Sequence, residues 1–453
     1  MVQDLNPTRG MELANVTGEP TAVRWRILAI LVGFSLCCYL LRMNISVAQA
    51  FMVPELGLSD IQIGEVFSAF MLGYALFQIP AGVWGDRKGP RFVLTIAAIG
   101  WGLTTLWTGL IPGQILKGAT AAFVSLLILR FLLGMCEAAM YPVAARAVAN
   151  WMPVPQHAFS NAVVIAGSTI GSALTPPLIS NVMQALGWRA TFYLTGLFPF
   201  GVALMWWWQA RDRPEQHSGV SPAEIALIAV GRAEKATTGQ LRSWWSLLRD
   251  RNLAFLSLSY FLTGYVMFVF VFWLYKYLID VRKFSLVGGG WASSLPFVVA
   301  TIGLPSFGYL SDRWAASRGA LAGRRAVAVG CLVSCGLMLW AGASASGPWM
   351  AVAAISLSVG FLFSVEGPYW STAIVLAGPN AGTACGVMNM AGNMGGVVST
   401  AFMPLLVHWL GWFGGLLSAS IFAIIAAALW LLIREPLAPI PSSEVPVAQS
   451  LVM

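Results

Sequence analysis

Arg42, Arg130 and Glu137 stand inside segments whose other residues are almost all apolar, and they are the first groups to which chemistry can be assigned. Placing a charge at the centre of a membrane-spanning helix costs about 2.5 to 3.5 kcal/mol on insertion scales, so such residues face a partner or a water-filled pathway. A guanidinium offers a planar fork matched to carboxylate oxygens, and a bound carboxylate is therefore expected to satisfy Arg42 or Arg130. Arg130 and Glu137 are seven positions apart, which on a helix sets them on one face, about 10.5 Å apart along the axis. They are neighbours without being a tight pair. Burial favours a neutral glutamate and a nearby arginine favours a charged one. An anion that takes over the arginine then favours protonation of Glu137, which couples anion arrival to proton uptake. The competing reading is a charge cluster that only ties two helices together. Loss of such a cluster lowers the amount of protein, whereas loss of a functional one leaves a folded, inactive protein.

The elements that position these groups are helices in lipid. The chain is 58% hydrophobic and 10% charged over 453 residues, whereas a soluble domain carries roughly a quarter charged residues. Its apolar runs are about 20 residues long, the length a helix rising about 1.5 Å per residue needs to cross a hydrocarbon core of about 30 Å. The pattern predicts an all-α polytopic membrane protein with about twelve transmembrane helices. Cys37, Cys38, Cys136, Cys331, Cys335 and Cys385 fall inside these runs, where a thiol behaves as a small hydrophobe, so no disulfide framework and no metal site are expected. His157, His217 and His408 are scattered and form no metal set. The segment Met1–Pro20 is polar and the first apolar run is too long for a signal-peptide core, so the first helix is expected to serve as the membrane signal.

Arg24 and Arg26 precede the first span, Arg87, Lys88 and Arg91 follow the second, and Arg313, Arg318, Arg324 and Arg325 follow the eighth. Intervening short loops such as Pro54–Asp60 carry mainly acids or no charge. The positive-inside rule places both termini in the cytoplasm. Basic cytoplasmic loops explain the net charge of +8, and no nucleic-acid partner is needed. The polar segment 211–251 mixes both charge signs with Pro214 and Pro222 and reads as a cytoplasmic linker with an amphipathic helix over Pro222–Lys235. The expected organisation is a cytoplasmic tail 1–24, a six-helix bundle 25–210, the linker, a second six-helix bundle 252–433 and a cytoplasmic tail 434–453. Gly82-Val-Trp-Gly-Asp86-Arg87-Lys88-Gly89-Pro90-Arg91 after the second span returns loosely as Gly308-Tyr-Leu-Ser-Asp312-Arg313 after the eighth. Several transporter folds are built from two related six-helix halves, with the ligand site near the midplane between them.

The G-x3-D-R-x-G-x-R loop and its paired copy resemble the signature of the major facilitator superfamily, over essentially the whole chain. The resemblance implies that Asp86, Arg87, Arg91, Asp312 and Arg313 are gating residues, the loop helping to lock the inward-closed state. A narrower resemblance lies in the first half. Tyr39-Leu-Leu-Arg42-Met-Asn44-Ile-Ser46-Val-Ala48 is similar to the L-R-x-N-[LI]-S-V-A stretch of the anion:cation symporter family of sialin, the vesicular glutamate transporters and bacterial galactonate, hexuronate and phthalate carriers. Gly73-Tyr74-Ala-Leu-Phe-Gln78-Ile-Pro80-Ala-Gly82 resembles that family's second span, and Arg130-Phe-Leu-Leu-Gly134-Met-Cys-Glu137-Ala-Ala-Met-Tyr141-Pro142 its fourth. Many bacterial members carry an aspartate just before the first-span arginine, as a second proton-coupling carboxylate. This chain has Leu41 there, which leaves the proton stoichiometry open.

The second half supplies further candidates. Lys276 lies in the aromatic stretch Phe272-Trp273-Leu-Tyr275-Lys276-Tyr277 at the end of span seven, as an anion-attracting or gating lysine or as a side chain snorkelling to the interface. In span ten, Glu366-Gly-Pro368 suggests a broken helix whose freed backbone groups line a cavity. Glu366 is then a second proton carrier, a selector for a substrate hydroxyl or amine, or a cap for the break. Trp370 matches a tryptophan that the family turns toward the substrate. In span eleven, Asn389 and Asn393 are four apart on one face, and the resemblance places them toward the cavity, where amides bond hydroxyls or carboxylate oxygens. The nearby glycines, and Gly167 and Gly171 in span five, are the small residues that let membrane helices approach closely.

Residues and resemblance together assign Arg42, Tyr74, Arg130, Trp370, Asn389 and Asn393 to substrate binding and Glu137 and Glu366 to proton coupling. The expected function is proton-coupled symport of a small organic anion, such as a sugar acid, by a monomer in a bacterial-type inner membrane. A proton-coupled drug exporter and a non-transporting ligand sensor are the alternatives. No cofactor is expected, since there is no phosphate cradle with a Walker lysine, and no nucleophile-and-base set supports an enzyme.

Overall fold

Among the described residues, eleven apolar helices are long enough to cross a membrane, and they make twelve crossings because the last of them turns back on itself. The computed structural model describes residues 19–153, 156–229, 249–377 and 381–434; most of both expected tails, Trp244, Trp245 and positions 230–235 of the expected linker helix lie outside the described residues. Among the described residues there is no strand. The helices are α1 (Val23–Leu56), α2 (Asp60–Lys88), α3 (Pro90–Leu110), α4 (Ala119–Glu137), α5 (Met140–Trp151), α6 (His157–Leu186) and α7 (Trp188–Gln209). After the short α8 (Pro222–Ala229) come α9 (Arg251–Asp280), α10 (Leu286–Arg318), α11 (Ala320–Ser344), α12 (Pro348–Ser364), α13 (Glu366–Ala377) and α14 (Ala381–Leu431).

Local chemistry sets the ends. Ser59 opens α2 with a capping box, accepting from the Gln62 amide while Gln62 accepts from the Ser59 amide. Asp250 caps α9 through the amides of Asn252 and Leu253. Two crossings are broken in mid-span: the fourth at Ala138–Ala139, between α4 and α5, and the tenth at Val365, between α12 and α13. The second break falls directly before Glu366-Gly-Pro368. The 51 residues of α14 would run about 76 Å as one straight helix, more than twice a hydrocarbon core. It turns at Gly411, whose φ of 68° is open to glycine at no steric penalty.

Within each half the same helix pairs are held by glycines. Spans one and five meet where Gly167 and Gly171 let the α1 backbone approach, and spans seven and eleven meet where Gly395 faces the Phe261 carbonyl and Gly264 that of Gly392. Spans two and four pack through Gly73 and Gly134, spans eight and ten through Gly303 and Gly360. Spans three and six use Gly102 and Gly196, and Gly336 seats α11 on the last crossing. Three pairings in the first half therefore recur in the second. The halves meet along α6 with α10 and along α2 with α14.

The described start of the linker is anchored rather than free. The Asp212 carboxylate accepts the Arg91 amide at 2.9 Å and caps α3. Glu224 of α8 is fully buried and holds the start of α1 through the Arg24 amide and guanidinium at 3.1 and 3.2 Å and through Thr21.

A Cβ at Gly134 or Gly395 collides with the carbonyl of Phe70 or Phe261, whereas nothing lies within 4 Å of one at Gly33. Gly134→Val or Gly395→Val is expected to lower the thermal unfolding midpoint in detergent, at a penalty of about 1–3 kcal/mol or more. Gly33→Ala leaves the midpoint level or raises it.

Candidate functional site

Arg42 projects from the middle of α1 onto Glu137, the last residue of α4 before the break at Ala138–Ala139. Its Nε and Nη2 donate to the same carboxylate oxygen, Oε2, at 3.3 and 3.1 Å, and the Cys38 thiol donates to that oxygen at 3.1 Å. The pair is withdrawn from solvent, with side chains 2% and 0% exposed. Three aromatic rings surround the guanidinium: Tyr39 at 4.7 Å, Tyr74 at 4.6 Å and Phe70 at 5.1 Å from its central carbon. A desolvated cation gains roughly 2 kcal/mol or more from such faces. Glu137 Oε1 is buried without a hydrogen-bond partner.

Arg130, also buried, uses its fork differently. Nη1 donates to the Leu41 carbonyl and Nη2 to Asn44 Oδ1, each at 3.2 Å. Asn44 in turn donates to Thr195 at 3.2 Å, so one amide ties α1, α4 and α7 together. Arg130 forms no ion pair among the described residues, and its Nε is buried without a partner. The shared helical face of Arg130 and Glu137 thus does not decide the pairing; a residue of another helix takes the carboxylate. Both guanidinium forks are occupied by the protein itself. An incoming anion has to compete with Glu137 for Arg42, or with Asn44 and a backbone carbonyl for Arg130.

The second half contributes a less charged surface. Glu366, half-buried at the first position of α13, accepts from the Tyr260 hydroxyl and the Trp370 indole N–H, both at 2.9 Å and both on Oε2. Asn389 and Asn393 donate to one oxygen, Gln78 Oε1, at 3.1 and 3.5 Å, linking span eleven to span two across the halves. Tyr74, whose ring faces Arg42, and the two asparagines, which bond Gln78, thus lie near the meeting of the halves, whereas Trp370 contacts Glu366 and Tyr260 of its own half.

The expected gating residues divide between two ends. At one end Lys276 bridges Asp60 at 3.3 Å and Asp280 at 2.8 Å, joining α9 to α2 rather than reaching freely to an interface. Gln49 donates to the Phe272 carbonyl at 3.1 Å, and Phe67 stacks on Phe272 with centroids 4.7 Å apart. At the other end Asp86 pairs with Arg146 of its own half at 3.7 Å, and Arg91 donates to the Trp207 carbonyl. Arg87, Asp312 and Arg313 are exposed. Every cross-half hydrogen bond found among the described residues lies between Gln78 and the Asp60 end. The halves are closed onto each other at that end, and among the described residues no hydrogen bond or ion pair crosses between them at the Asp86 end.

Cys38, Tyr39, Asn44, Phe70, Gln78 and Tyr260 belong to this site, although sequence reasoning gave them no role. Asn44 and Gln78 carry a signal in hindsight, as amides in otherwise apolar spans. Phe67, Phe70 and Tyr74 follow the three-and-four spacing of one helical face.

A family model described as Major Facilitator Superfamily matches residues 31–400 and 290–452. The chain is 32% identical over 389 residues to a probable sulfoacetate transporter of Cupriavidus necator, covering 86% of this chain and 88% of that protein. It is 29% identical over 384 residues to a hexuronate transporter of Bacillus subtilis, covering 83% and 86%. With a D-galactonate transporter of Escherichia coli it shares 27% over 439 residues, covering 93% and 98%. Among solved structures, a bacterial homolog of the human lysosomal transporter Spinster superposes with a TM-score of 0.72 at 18% identity, over 92% of this chain and 97% of that one.

Removing one partner of a buried pair strands the other charge, which costs about 3–5 kcal/mol, whereas removing both is often near neutral. Arg42→Met is expected to lower the unfolding midpoint strongly, and Arg42→Met with Glu137→Leu to recover most of the loss. A double variant whose loss equals the sum of the losses in Arg42→Met and Glu137→Leu alone would show that the two side chains are not energetically coupled.

Proposed function

The chain belongs to the Major Facilitator Superfamily and is a membrane transporter, not an enzyme; from that premise we propose that it carries a small organic anion, a carboxylate such as a sugar acid, together with protons. The observation on which this reading rests is the Arg42–Glu137 pair. One guanidinium is shared between a fixed carboxylate and any carboxylate that arrives. Relatives named as transporters of sulfoacetate, hexuronate and D-galactonate support an anionic cargo.

The proposed cycle follows from that competition. An anion entering from the Asp86 end engages Arg42 or Arg130 and displaces part of their present bonding. Glu137, losing its positive partner in a buried setting, takes a proton, and Oε1, the oxygen without a partner, is free to receive it. The site is then neutralised and the halves can rock about it. With Leu41 where a second acid could stand, Glu137 is the coupling group in the first half. Tyr74, Trp370, Asn389 and Asn393 orient the rest of the substrate. The protein works as a monomer in a bacterial inner membrane, each chain holding both halves of its own site.

Arg24, Arg26, Arg87, Lys88 and Arg91 place the termini and the Asp86 end in the cytoplasm by the positive-inside rule. The Asp60–Lys276 end then closes toward the outside, and the present conformation is inward-open. Asp86, Arg87, Arg91, Asp312 and Arg313 would engage across the halves in the opposite state, which fits the exposure of Asp86, Arg87, Asp312 and Arg313 here, while Arg91 would have to leave the Trp207 carbonyl.

Uptake into proteoliposomes under an imposed inward proton gradient tests the reading with sugar acids, aromatic acids, dicarboxylates and a cationic dye. Gradient-driven uptake of an anion is expected, reduced on the order of a hundredfold in Arg130→Ala. Glu137→Gln should retain exchange of anion across the membrane but lose accumulation driven by pH. Dye efflux without anion uptake, or anion flux indifferent to both substitutions, would overturn the proposal.

A further inference from the structure

The two arginines of the first half are both buried, but they look in different directions. Arg42 lies among Tyr39, Phe70 and Tyr74. Phe70 and Tyr74 belong to α2, the helix that packs on α14, and the Phe70 ring lies 6.3 Å from that of Phe272 in the second half. Arg130 lies instead among Leu41 and Asn44 of α1 and Phe192 of α7, whose ring centroid is 5.5 Å from the guanidinium carbon. α7 packs on α1, α3 and α6, all of the first half. Among the described residues no hydrogen bond, ion pair or ring contact joins Arg130 to the second half. Arg42 therefore borders the region between the halves, and Arg130 fills the interior of one of them.

What Arg130 grips is the turn that carries Arg42. Leu41 and Asn44 are three positions apart and share one face of α1, and the carbonyl that accepts from Arg130 Nη1 belongs to the peptide unit joining Leu41 to Arg42. Asn44 is held in turn, because its amide nitrogen donates to Thr195 of α7 at 3.2 Å. On a neighbouring face of α1, Cys38 and Arg42 are four apart, and both donate to Glu137. α1 and α4 are thus tied at two levels, Arg130 with Leu41 and Asn44 at one and Glu137 with Cys38 and Arg42 at the other, about 10.5 Å apart along α4. The Arg130 tie sets the rotation and height of the Arg42 turn against α4.

We infer that Arg130 is a positioning residue: through the Leu41 carbonyl and Asn44 it fixes the turn of α1 from which Arg42 reaches Glu137, and the acid group of the cargo is received by Arg42 alone. The inference rests on the organic-anion reading and deepens it by naming the arginine that the anion meets. An anion at Arg130 would have to enter between α1, α4 and α7 and open a fork that is already filled, leaving the buried Asn44 oxygen without its donor. At Arg42 one carboxylate replaces another, and the displaced Glu137 takes a proton.

Two arms on the full-length protein test this. In detergent, the coupling of Arg42 to Glu137 is read from the unfolding midpoints of Arg42→Met, Glu137→Leu and the double variant, each made in wild type and in Arg130→Met. The recovery in the double variant is expected to fall by half or more once Arg130 is replaced. An unchanged recovery would overturn the inference whatever the cargo. The same cycle in Asn44→Leu, where Arg130 stays and loses its second grip, decides the point if Arg130→Met folds poorly. In proteoliposomes, rates and KM are measured with sulfoacetate, D-glucuronate and D-galactonate. Arg130→Met and Asn44→Leu should each lower the maximal rate on the order of a hundredfold, since a misplacement of about 1 Å in a positioned site costs that much. Arg130→Lys, which keeps one donor for the Leu41 carbonyl, should recover part of the loss. Asn44→Leu that transports at the wild-type rate or with a lower KM, beside Arg130→Met with a raised KM, would show that the anion meets Arg130 and overturn the inference while leaving organic-anion transport standing. Uptake of no acid by wild type would overturn the organic-anion reading, and the detergent arm would still decide whether Arg130 places Arg42.

Discussion

A buried arginine that keeps its charge and a buried glutamate are locked together at Arg42 and Glu137, and the rest of the molecule is arranged around keeping them in register. The pair joins spans one and four, which are not held to each other by a close glycine contact. Those spans are fixed instead by their own partners: α1 by Gly167 and Gly171 of α6, and α4 by Gly73 of α2 and its own Gly134. The aromatic cage of Tyr39, Phe70 and Tyr74 comes from α1 and α2, so three helices meet at one guanidinium. Such a cage excludes water and makes any exchange of partner at Arg42 a large electrostatic event.

The two halves share a plan of helix pairing but have diverged in charge. The first contributes both arginines and Glu137; the second contributes amides, ring donors and the single carboxylate of Glu366. Divergence is tolerated because the helix pairing depends on small residues and backbone approach, which leave the cavity-facing positions free to vary. The break before Glu366 and the break after Glu137 fall in equivalent crossings, the tenth and the fourth. Each therefore puts an acid beside an interruption in its helix, one at a helix end and one at a helix start.

Much of this was legible in the residues themselves. Apolar runs gave the spans, Arg42, Arg130 and Glu137 stood out because lipid does not tolerate an unexplained charge, and Glu366-Gly-Pro368 marked the broken tenth helix. The pairing was not legible, because helical periodicity says which residues share a face and nothing of which helix lies opposite. Arg130 and Glu137 share a face, yet Glu137 bonds to a residue 95 positions away. The interruption at Ala138–Ala139, by contrast, has its signal four residues on, where Pro142 lacks the N–H that the Ala138 carbonyl would accept. Tyr260 and Glu366 are 106 positions apart, and only the folded chain brings the phenol to the acid. The docking of Glu224 on the start of α1 was hidden because a lone glutamate in a polar segment reads as a solvated charge.

The contrast between bonds within and between the halves explains how such a structure can move. Within a half, backbones touch at glycines, and separating them would strip contacts along whole helices. Between the halves, the closed end is held by an ion pair with one partly exposed partner, a few hydrogen bonds and the stack of Phe67 on Phe272. An exposed ion pair is worth about 0–1 kcal/mol, a hydrogen bond about 0.5–1.5 kcal/mol and an aromatic pair about 0.5–1.5 kcal/mol. Each is small enough that a change at the binding site can outweigh several of them. Phe70 connects the two regions physically: its ring lies 5.1 Å from the Arg42 guanidinium carbon and 6.3 Å from the Phe272 ring. In the proposed cycle, a change of partner at Arg42 acts on a ring that also packs against the closed end, which is where the halves are held together.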